Sequence, residues 1–278
     1  MTKNHAPKIS PASGRLGVLL PGMGAVSSTF VAGVELMKKG LGRPIGSLTQ
    51  LQTIRLGKRY ENRNPLIRDF VPLADPAGLV FGGWDLFPDS LFEAAVKAGV
   101  LPLEQLAPVR QELESVEPMP AVFDQEYVRN LTATHAKRGT RWELACQVME
   151  DIAAFKKRHN LERLVMIWCG STEVSTEPTA THASLAALER GLKADSKDIP
   201  PSMVYAYAAI KLGIPYANGA PNLSADVPAL VELAEKTATP IAGKDFKTGQ
   251  TMMKTVIGPA IKTRVLGLNG WYSTNILG

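Results

Sequence analysis

The sequence has 278 residues, of which 45% are hydrophobic and 21% charged, and its formal net charge is +5. This composition is typical of a soluble globular protein of one or two domains. No apolar run reaches the roughly 20 residues that a transmembrane helix needs. The mild positive charge, the sparse aromatic residues and the lack of a nucleic-acid-reading motif argue against nucleic-acid binding and suit an anionic small substrate.

The N-terminal residues 1–15 are polar and lack the apolar centre of a secretory signal. The two cysteines, Cys146 and Cys169, do not indicate a disulfide framework, which favours a reducing cytoplasm. Neither the cysteines nor the histidines show metal-ligand spacing, and whether a divalent metal assists is left open. The histidines are His5, His135, His159 and His182.

Residues 15–22 predict a buried strand, because a short apolar run is closed there by glycine. Apolar residues then recur at helical spacing as far as Gly40, a suitable helix stop. Gly22 and Gly24 would provide the tight turn and the close approach of a pyrophosphate to the helix start in a dinucleotide-binding βα unit. Ser27 stands where the usual fingerprint has its third glycine, so a purely structural turn is the alternative.

Residues 41–77 predict an irregular, solvated insertion with several prolines and many cations: Arg43, Arg55, Lys58, Arg59, Arg63 and Arg68. A strand is predicted at residues 78–87, and Asp85 lies near its end. An aspartate at the carboxyl end of such a strand can hydrogen-bond ribose hydroxyls. The alternative is a cap for the helix that follows, although Asp89 or Ser90 is better placed for that.

The middle of the chain predicts two amphipathic helices and one more buried strand. The helices fall at residues 102–115 and 140–159, and the second has a basic end that suits the helix dipole. The strand, residues 163–173, ends in small polar residues that include Gly170 and Ser171. Open α/β sheets bind ligands at such strand ends, so this strand tip is a candidate ligand contact.

The second half begins with a Ser/Thr/Pro-rich connection near residues 175–185. A helix is predicted at residues 200–213, with proline at its start and glycine at its end. A short strand and turn in PYANGAPNLS, a helix at 227–237 and a strand in TPIAGKDF follow. Residues 264–277 have a last strand pattern.

The segment GKDFKTGQTMMK, residues 243–254, concentrates polar groups that could do chemistry: Asp245, Lys247, Gln250 and Lys254. On one helix, Lys247 and Lys254 would be about two turns apart and would project from the same face. With Thr248 as a cap, these cations would lie beside free N–H groups and could bind a phosphate or an oxyanion. The alternative is a solvated basic helix end.

Six motifs occur in the order PGMGAVSST, GGWD, IWCGSTE, YANGAPN, GKDFKTGQTMMK and GWYSTNILG. In this order and spacing they resemble the inositol-3-phosphate synthase (myo-inositol-1-phosphate synthase) family, and more closely its archaeal and bacterial branch. The resemblance runs from about residue 14 to the last residue. It departs from the family pattern at Ala25, where the family often has glycine, and at Lys244, where it often has aspartate.

The resemblance implies an α/β fold, with an NAD-binding Rossmann-like doubly wound sheet in residues 1–175 and an α+β catalytic and oligomerisation domain in residues 176–278. It implies an isomerase, an intramolecular lyase, that converts D-glucose 6-phosphate into 1D-myo-inositol 3-phosphate. Oxidation at C5 by bound NAD, enolisation, aldol closure and re-reduction leave no net redox change. It also implies a cytoplasmic homotetramer, without membrane or nucleic-acid partners, that serves inositol and phospholipid biosynthesis.

The resemblance also implies roles for individual residues. Lys247 and Lys254 would stabilise the alkoxide and enolate charge and transfer protons, and Asp245 would orient a lysine or relay protons. The substrate contacts would be Ser202, Gln250 and Asn218. The cofactor contacts would be Gly22, Gly24, Ala25, Val26, Asp85, Gly170 and Ser171.

Family members continue past the NILG motif with a further motif and at least one more functional lysine. The chain is therefore expected to be incomplete at its C-terminal end. Two other functions stay open. An ordinary two-domain NAD-dependent dehydrogenase would release NADH, and a non-catalytic relative that binds NAD or a sugar phosphate would show no turnover.

Overall fold

Strands and helices alternate along residues 13–71, 73–246 and 249–271, the part of the chain that the computed structural model describes; for residues 249–252 it describes only the backbone. The strands are β1 (Leu16–Pro21), β2 (Leu79–Asp85), β3 (Met119–Pro120), β4 (Arg163–Trp168), β5 (Tyr216–Asn218) and β6 (Ile241–Gly243). The longer helices are α1 (Ala25–Lys38), α4 (Leu91–Ala98), α7 (Arg141–Arg158), α8 (Leu185–Lys193), α9 (Pro201–Lys211), α10 (Pro228–Thr237) and α11 (Gly249–Thr263). The short ones are α2 (Leu48–Leu51), α3 (Ile67–Phe70), α5 (Leu103–Leu106) and α6 (Arg110–Glu114). Single 3₁₀ turns occur at Arg59–Glu61, Pro76–Gly78, Ala107–Val109 and Ala180–His182.

In the described residues, the six strands form one parallel sheet in the order β3-β2-β1-β4-β5-β6. The chain adds β2 and β3 on one side of β1, then returns to add β4 on the other side. This is the usual strand order of a Rossmann-like doubly wound sheet, so the predicted α/β fold class is confirmed. In such sheets the ligand crevice lies at the carboxyl ends of the strands where the order reverses, which here is between β1 and β4.

Two apolar cores lie on the two faces of the sheet. Val18 and Leu20 of β1 pack with residues of α1 and α4, such as Val31 and Leu91. Leu19 points to the other face and belongs to the core formed with α7 to α10. Successive side chains of a strand point to opposite faces, so one short apolar run serves both cores. Full burial of each such side chain stabilises the fold by about 2 kcal/mol.

Helix α9 lies inside the second core, where every residue except Lys211 is buried. A helix that is apolar on all sides must be covered by other elements, and α7 and α10 pack against it. Strands β5 and β6, beyond residue 175, belong to the same sheet as β1. The division of the chain into domains at residues 1–175 and 176–278 stays a prediction.

Several predicted elements differ from those in the structure. The insertion at residues 41–77 exposes its cations as predicted, but it is not wholly irregular. It contains α2 and α3, and two antiparallel bridges pair residues of the chain between these helices. The helix predicted at 102–115 is broken into α5, a 3₁₀ turn and α6, since Pro108 lacks the N–H that continues a helix. The last strand prediction is wrong for residues 264–271, which form a turn and irregular chain after α11; residues 272–277 lie outside the described residues.

None of the helices in the described ranges has the length and the apolar character needed to cross a membrane.

Gly33 offers a direct test of the helix propensity of α1. It lies in the middle of the helix, it is exposed, and a Cβ added there would meet nothing within 4 Å. Glycine is less favourable than alanine inside a helix by about 1 kcal/mol. We therefore expect Gly33→Ala to raise the free energy of unfolding by about 0.5–1 kcal/mol in urea denaturation.

Gly40 provides the matched control, because it also has nothing within 4 Å of an added Cβ but has a φ of +73°. A side chain is disfavoured in this left-handed conformation by about 1–2 kcal/mol, so Gly40→Ala should destabilise the chain. Equal effects of the two substitutions would contradict this account of α1.

Candidate functional site

The turn between β1 and α1 lies at the switch point of the sheet. Gly22 adopts a φ of +91°, and its N–H donates to the carbonyl of Trp84 at 2.8 Å. A Cβ at Gly22 would collide with the Cα and N of Gly170, at the tip of β4. Glycine is required here both for its backbone conformation and for this close approach of two chain segments.

The start of α1 is open to solvent. Gly24 is the N-cap residue and has no side chain to accept from the first N–H groups, and Gly24, Ala25 and Val26 are all exposed. A Cβ at Gly24 would meet nothing within 4 Å. An uncapped helix N-terminus attracts anions through its free N–H groups and dipole. The turn from Gly22 to Val26, called the cradle below, therefore has the donors and the space that the pyrophosphate of a dinucleotide needs.

Asp85 ends β2 beside this cradle. Its Oδ2 accepts from the N–H of Met23 at 2.6 Å, and its Oδ1 accepts from the N–H of Phe87 at 3.1 Å. Burial raises the pKa of Asp85, and the hydrogen bonds from Phe87 and Met23 oppose that shift. The alternative role as a helix cap is wrong, because Ser90 caps α4. Asp85 thus holds the glycine turn and keeps a carboxylate at the carboxyl edge of the sheet.

Gly170 and Ser171 continue the same edge on the other side of β1. The N–H of Cys169 donates to the carbonyl of Pro21 at 2.8 Å, which ties the tip of β4 to the end of β1. Ser171 is exposed and lines a cleft of about 430 Å³ between residues 127–131 and 171–174. The structure therefore brings together the predicted cofactor residues at one edge of the sheet.

The predicted substrate contacts Ser202 and Asn218 are buried and have internal partners. Asn218 donates through Nδ2 to the carbonyl of Asn222 at 2.8 Å and accepts at Oδ1 from the N–H of Ala220 at 2.9 Å. The hydroxyl of Ser202 donates to Glu173. These contacts give both residues a structural role, and their contact with substrate stays a prediction.

The predicted catalytic segment follows β6. The N–H of Asp245 donates to the carbonyl of Ala220 at 3.0 Å, and Asp245 is exposed with a φ of +63°. Lys254 is exposed on α11. Lys247, its proposed capping neighbour Thr248 and the side chain of Gln250 lie outside what the structure describes. The catalytic roles of these residues stay predictions.

The sequence analysis missed Glu173, the most unusual carboxylate of this edge. Glu173 is only 3% exposed, and its carboxylate accepts three hydrogen bonds. Oε1 accepts from the N–H of Ser202 at 2.8 Å, and Oε2 accepts from the Ser202 hydroxyl at 2.5 Å and from Nδ2 of Asn222 at 2.9 Å. Burial raises the pKa of Glu173 to about 7. One feature of the sequence could have indicated it. The helix α9 begins after Pro200, which cannot cap it with a side chain, so the free N–H groups at its start need an acceptor from elsewhere in the chain.

Glu173 makes the stability of the fold depend on pH. Its ordinary pKa is 4.5, and in the folded chain it is about 7. Between these values the folded chain holds more protons than the unfolded chain, so the free energy of unfolding falls as the pH rises. We expect a loss of up to about 3 kcal/mol between roughly pH 4.5 and pH 7, relative to Glu173→Gln, measured by urea denaturation across this range.

The Glu173→Gln variant removes this ionisation, so the difference between the two proteins isolates the contribution of one carboxyl group. Glu143, whose pKa is lowered by hydrogen bonds from Thr140, titrates in both proteins and cancels. A difference that stays constant from pH 4.5 to pH 7 would show that folding does not raise the pKa of Glu173.

No group of three or more histidine, cysteine or acidic side chains suited to a metal ion occurs within residues 13–71, 73–246 and 249–271.

Comparison with known proteins gives consistent matches. Residues 16–275 match the profile of an NAD-binding family described as myo-inositol-1-phosphate synthase. The chain is 51% identical to inositol-3-phosphate synthase 1 of Bacteroides thetaiotaomicron over 274 residues, which are 98% of this chain and 63% of that protein. It is 32% identical to inositol-3-phosphate synthase isozyme 1 of Arabidopsis thaliana over 87% of this chain and 50% of that protein.

The fold agrees with these sequence matches. The crystal structure of inositol-3-phosphate synthase from Caenorhabditis elegans superimposes with a TM-score of 0.84 at 27% identity, over 91% of this chain and 53% of that one. The chain thus spans between half and two thirds of the length of these relatives.

Proposed function

Because the chain belongs to the myo-inositol-1-phosphate synthase family, we propose that it converts D-glucose 6-phosphate into 1D-myo-inositol 3-phosphate with NAD as a recycled cofactor. The family match and the relatives named inositol-3-phosphate synthase favour this function over the alternatives, an ordinary NAD-dependent dehydrogenase or a non-catalytic relative. One observation supports the NAD-binding part of the proposal most directly. The glycine turn, the open start of α1 and the Asp85 carboxylate meet at the switch point of a Rossmann-like sheet.

The residues present fit a bound dinucleotide. The first N–H groups of α1 would bind the pyrophosphate, and the missing side chain at Gly24 would let it approach. Asp85 would accept a hydrogen bond from a ribose hydroxyl, and Gly170 and Ser171 would line the half of the site beyond β1. NAD bound there would supply a hydride acceptor for C5 of the open-chain sugar and return the hydride after ring closure.

The remaining chemistry needs a proton acceptor at C6 and stabilisation of the negative charge that develops during the aldol step. Fixed cations stabilise such charge strongly where water is excluded. We assign this role to Lys247 and Lys254, and the role of orienting them or relaying protons to Asp245. Gln250, Ser202 and Asn218 would contact the phosphate or hydroxyl groups of the sugar.

The setting of the enzyme is also a proposal. Both cysteines are free thiols, which supports the reducing environment of the cytoplasm. Met253 and Val256 of α11 are 47% and 64% exposed. Exposed apolar side chains close together are typical of interfaces between subunits, which supports the homotetramer implied by the family.

The test is to incubate the purified chain with glucose 6-phosphate and NAD, and to follow inositol phosphate by phosphorus NMR and NADH by absorbance. The proposal expects inositol phosphate without net NADH, and no product when NAD is omitted. Net NADH without a cyclised product would indicate an ordinary dehydrogenase. NAD binding with neither product would leave the non-catalytic function for residues 1–278.

A further inference from the structure

Glu173 joins two segments that are far apart in sequence. It follows the tip of β4, and its carboxylate accepts from the N–H and hydroxyl of Ser202, 29 residues later, at the N-terminus of α9. Asn222 completes the cluster, since its Nδ2 donates to Oε2 and its Oδ1 accepts from the N–H of Glu173 at 3.3 Å. The positive end of the α9 dipole and three donors stabilise the ionised carboxylate.

The segment that Glu173 fixes forms one wall of the ligand edge. Gly170 lies against Gly22, and Ser171 and Thr172 are exposed along the cleft. One residue after Glu173, the N–H of Val174 donates to the carbonyl of Tyr127 at 2.9 Å and so ties the opposite wall to it. The conformation of residues 170–174 therefore depends on a carboxylate that is itself buried out of reach of a ligand.

No cationic side chain of the described residues pairs with Glu173. Asp124, from the loop after β3, raises the pKa of Glu173 by repulsion, although burial is the larger cause. Tyr127 of the same loop and Tyr216 of β5 are the other titratable groups that interact with it. The guanidinium of Arg141 is engaged by Asp124 and Asp195. Three hydrogen bonds and the start of α9 thus stabilise the ionised form, and protonation would force one donor to turn away.

We propose that Glu173 is a positioning residue: its ionised carboxylate holds residues 170–172 in the conformation that receives the nicotinamide-nucleotide half of NAD. The adenosine half and the pyrophosphate contact Gly22, Gly24 and Asp85, which Glu173 does not touch. Glu173 therefore acts on only one half of the dinucleotide. This inference rests on the proposed function, since it requires NAD at this edge of the sheet.

The experiment compares NAD and ADP binding to the wild-type chain, Glu173→Gln and Glu177→Gln by calorimetric titration at about one pH unit below and above 7. Glu177 lies four residues after Glu173, is exposed and serves as the matched control. We expect Glu173→Gln to weaken NAD binding about tenfold at the higher pH, which corresponds to about 1.4 kcal/mol. Its ADP affinity and the affinities of Glu177→Gln should equal those of the wild type.

The pH profile gives a signature that a general loss of packing would not produce. Wild-type affinity for NAD should fall as the pH drops through about 7, where Glu173 gains its proton, while the affinity of Glu173→Gln should stay flat. Unchanged NAD affinity in Glu173→Gln would overturn the inference, and so would an equal loss for NAD and ADP.

Amide hydrogen exchange of residues 170–174 in the free protein separates this inference from the proposed function. Exchange should be faster in Glu173→Gln than in the wild type at both pH values, because an amide has one oxygen and cannot accept from all three donors that Glu173 binds. If the wild type binds no NAD, the proposed cofactor site is wrong, and slow exchange in Glu173→Gln would refute the positioning role by itself.

Discussion

Gly22→Ala is expected to abolish NAD binding and to lower the free energy of unfolding by about 2–5 kcal/mol, the sum of backbone strain and overpacking. The backbone at Gly22 has a φ of +91°, and the new methyl group would meet backbone atoms of Gly170 rather than a side chain that could rotate away. Relief requires β1 and β4 to separate at their tips, where the N–H of Cys169 donates to the carbonyl of Pro21. Urea denaturation and NAD titration measure the two effects.

Gly24→Ala separates these two effects. Gly24 has a φ of −80°, and an added Cβ would meet no protein atom within 4 Å. We expect its free energy of unfolding to stay within about 1 kcal/mol of the wild type. Its NAD affinity should still fall, because the methyl group occupies the space through which the pyrophosphate approaches the helix start. Full NAD affinity in Gly24→Ala would show that the dinucleotide does not bind at this turn.

Asp85→Asn is expected to weaken NAD binding by about 10- to 100-fold, since hydrogen bonds to a charged group contribute about 1.5–3 kcal/mol. The carboxylate accepts from two backbone N–H groups, those of Met23 and Phe87. An amide offers one oxygen and one NH₂ group, so one of these donors would face another donor. The loss therefore combines a distorted glycine turn with a weaker contact to the ribose.

The control for this charge change is Asp89→Asn. Asp89 lies four residues later and forms an exposed ion pair with Lys97 at 2.6 Å. Exposed pairs contribute about 0–1 kcal/mol, so Asp89→Asn should bind NAD as the wild type does. A titration that gives the same affinity for Asp85→Asn and the wild type would remove Asp85 from the site.

The first βα unit could be predicted from sequence because its signals are local. An apolar run, two glycines and a helical repeat follow one another directly between residues 15 and 40, and each fixes the conformation of its own segment. The predicted bounds of β1 and the predicted end of α1 accordingly agree with the observed ones within about two residues. The same holds for α7, which its long apolar repeat identifies, and for α9, which has proline at its start and glycine after its end.

The part of the site built by distant contacts could not be predicted. Glu173 is the last residue of the strand predicted at residues 163–173, in its polar tip, and its burial depends on meeting the start of α9. Ser202 shows the same dependence on distant contacts. A serine suits a contact with a ligand, and only the fold shows that its hydroxyl donates to Glu173. The last strand prediction failed at residues 264–271 because an apolar, β-branched pattern does not supply a neighbouring strand to pair with.

The strand order also has a consequence for the newly made chain. Among the described strands β1 is synthesised first, yet it lies inside the sheet and pairs with both β2 and β4. Leu16 pairs with Arg163, so one edge of β1 lacks its partner until about 150 more residues are made, roughly 7–30 s at the usual rate of translation. Unpaired apolar strand edges promote aggregation during folding. The nascent chain should therefore depend on chaperones until β4 has left the ribosome.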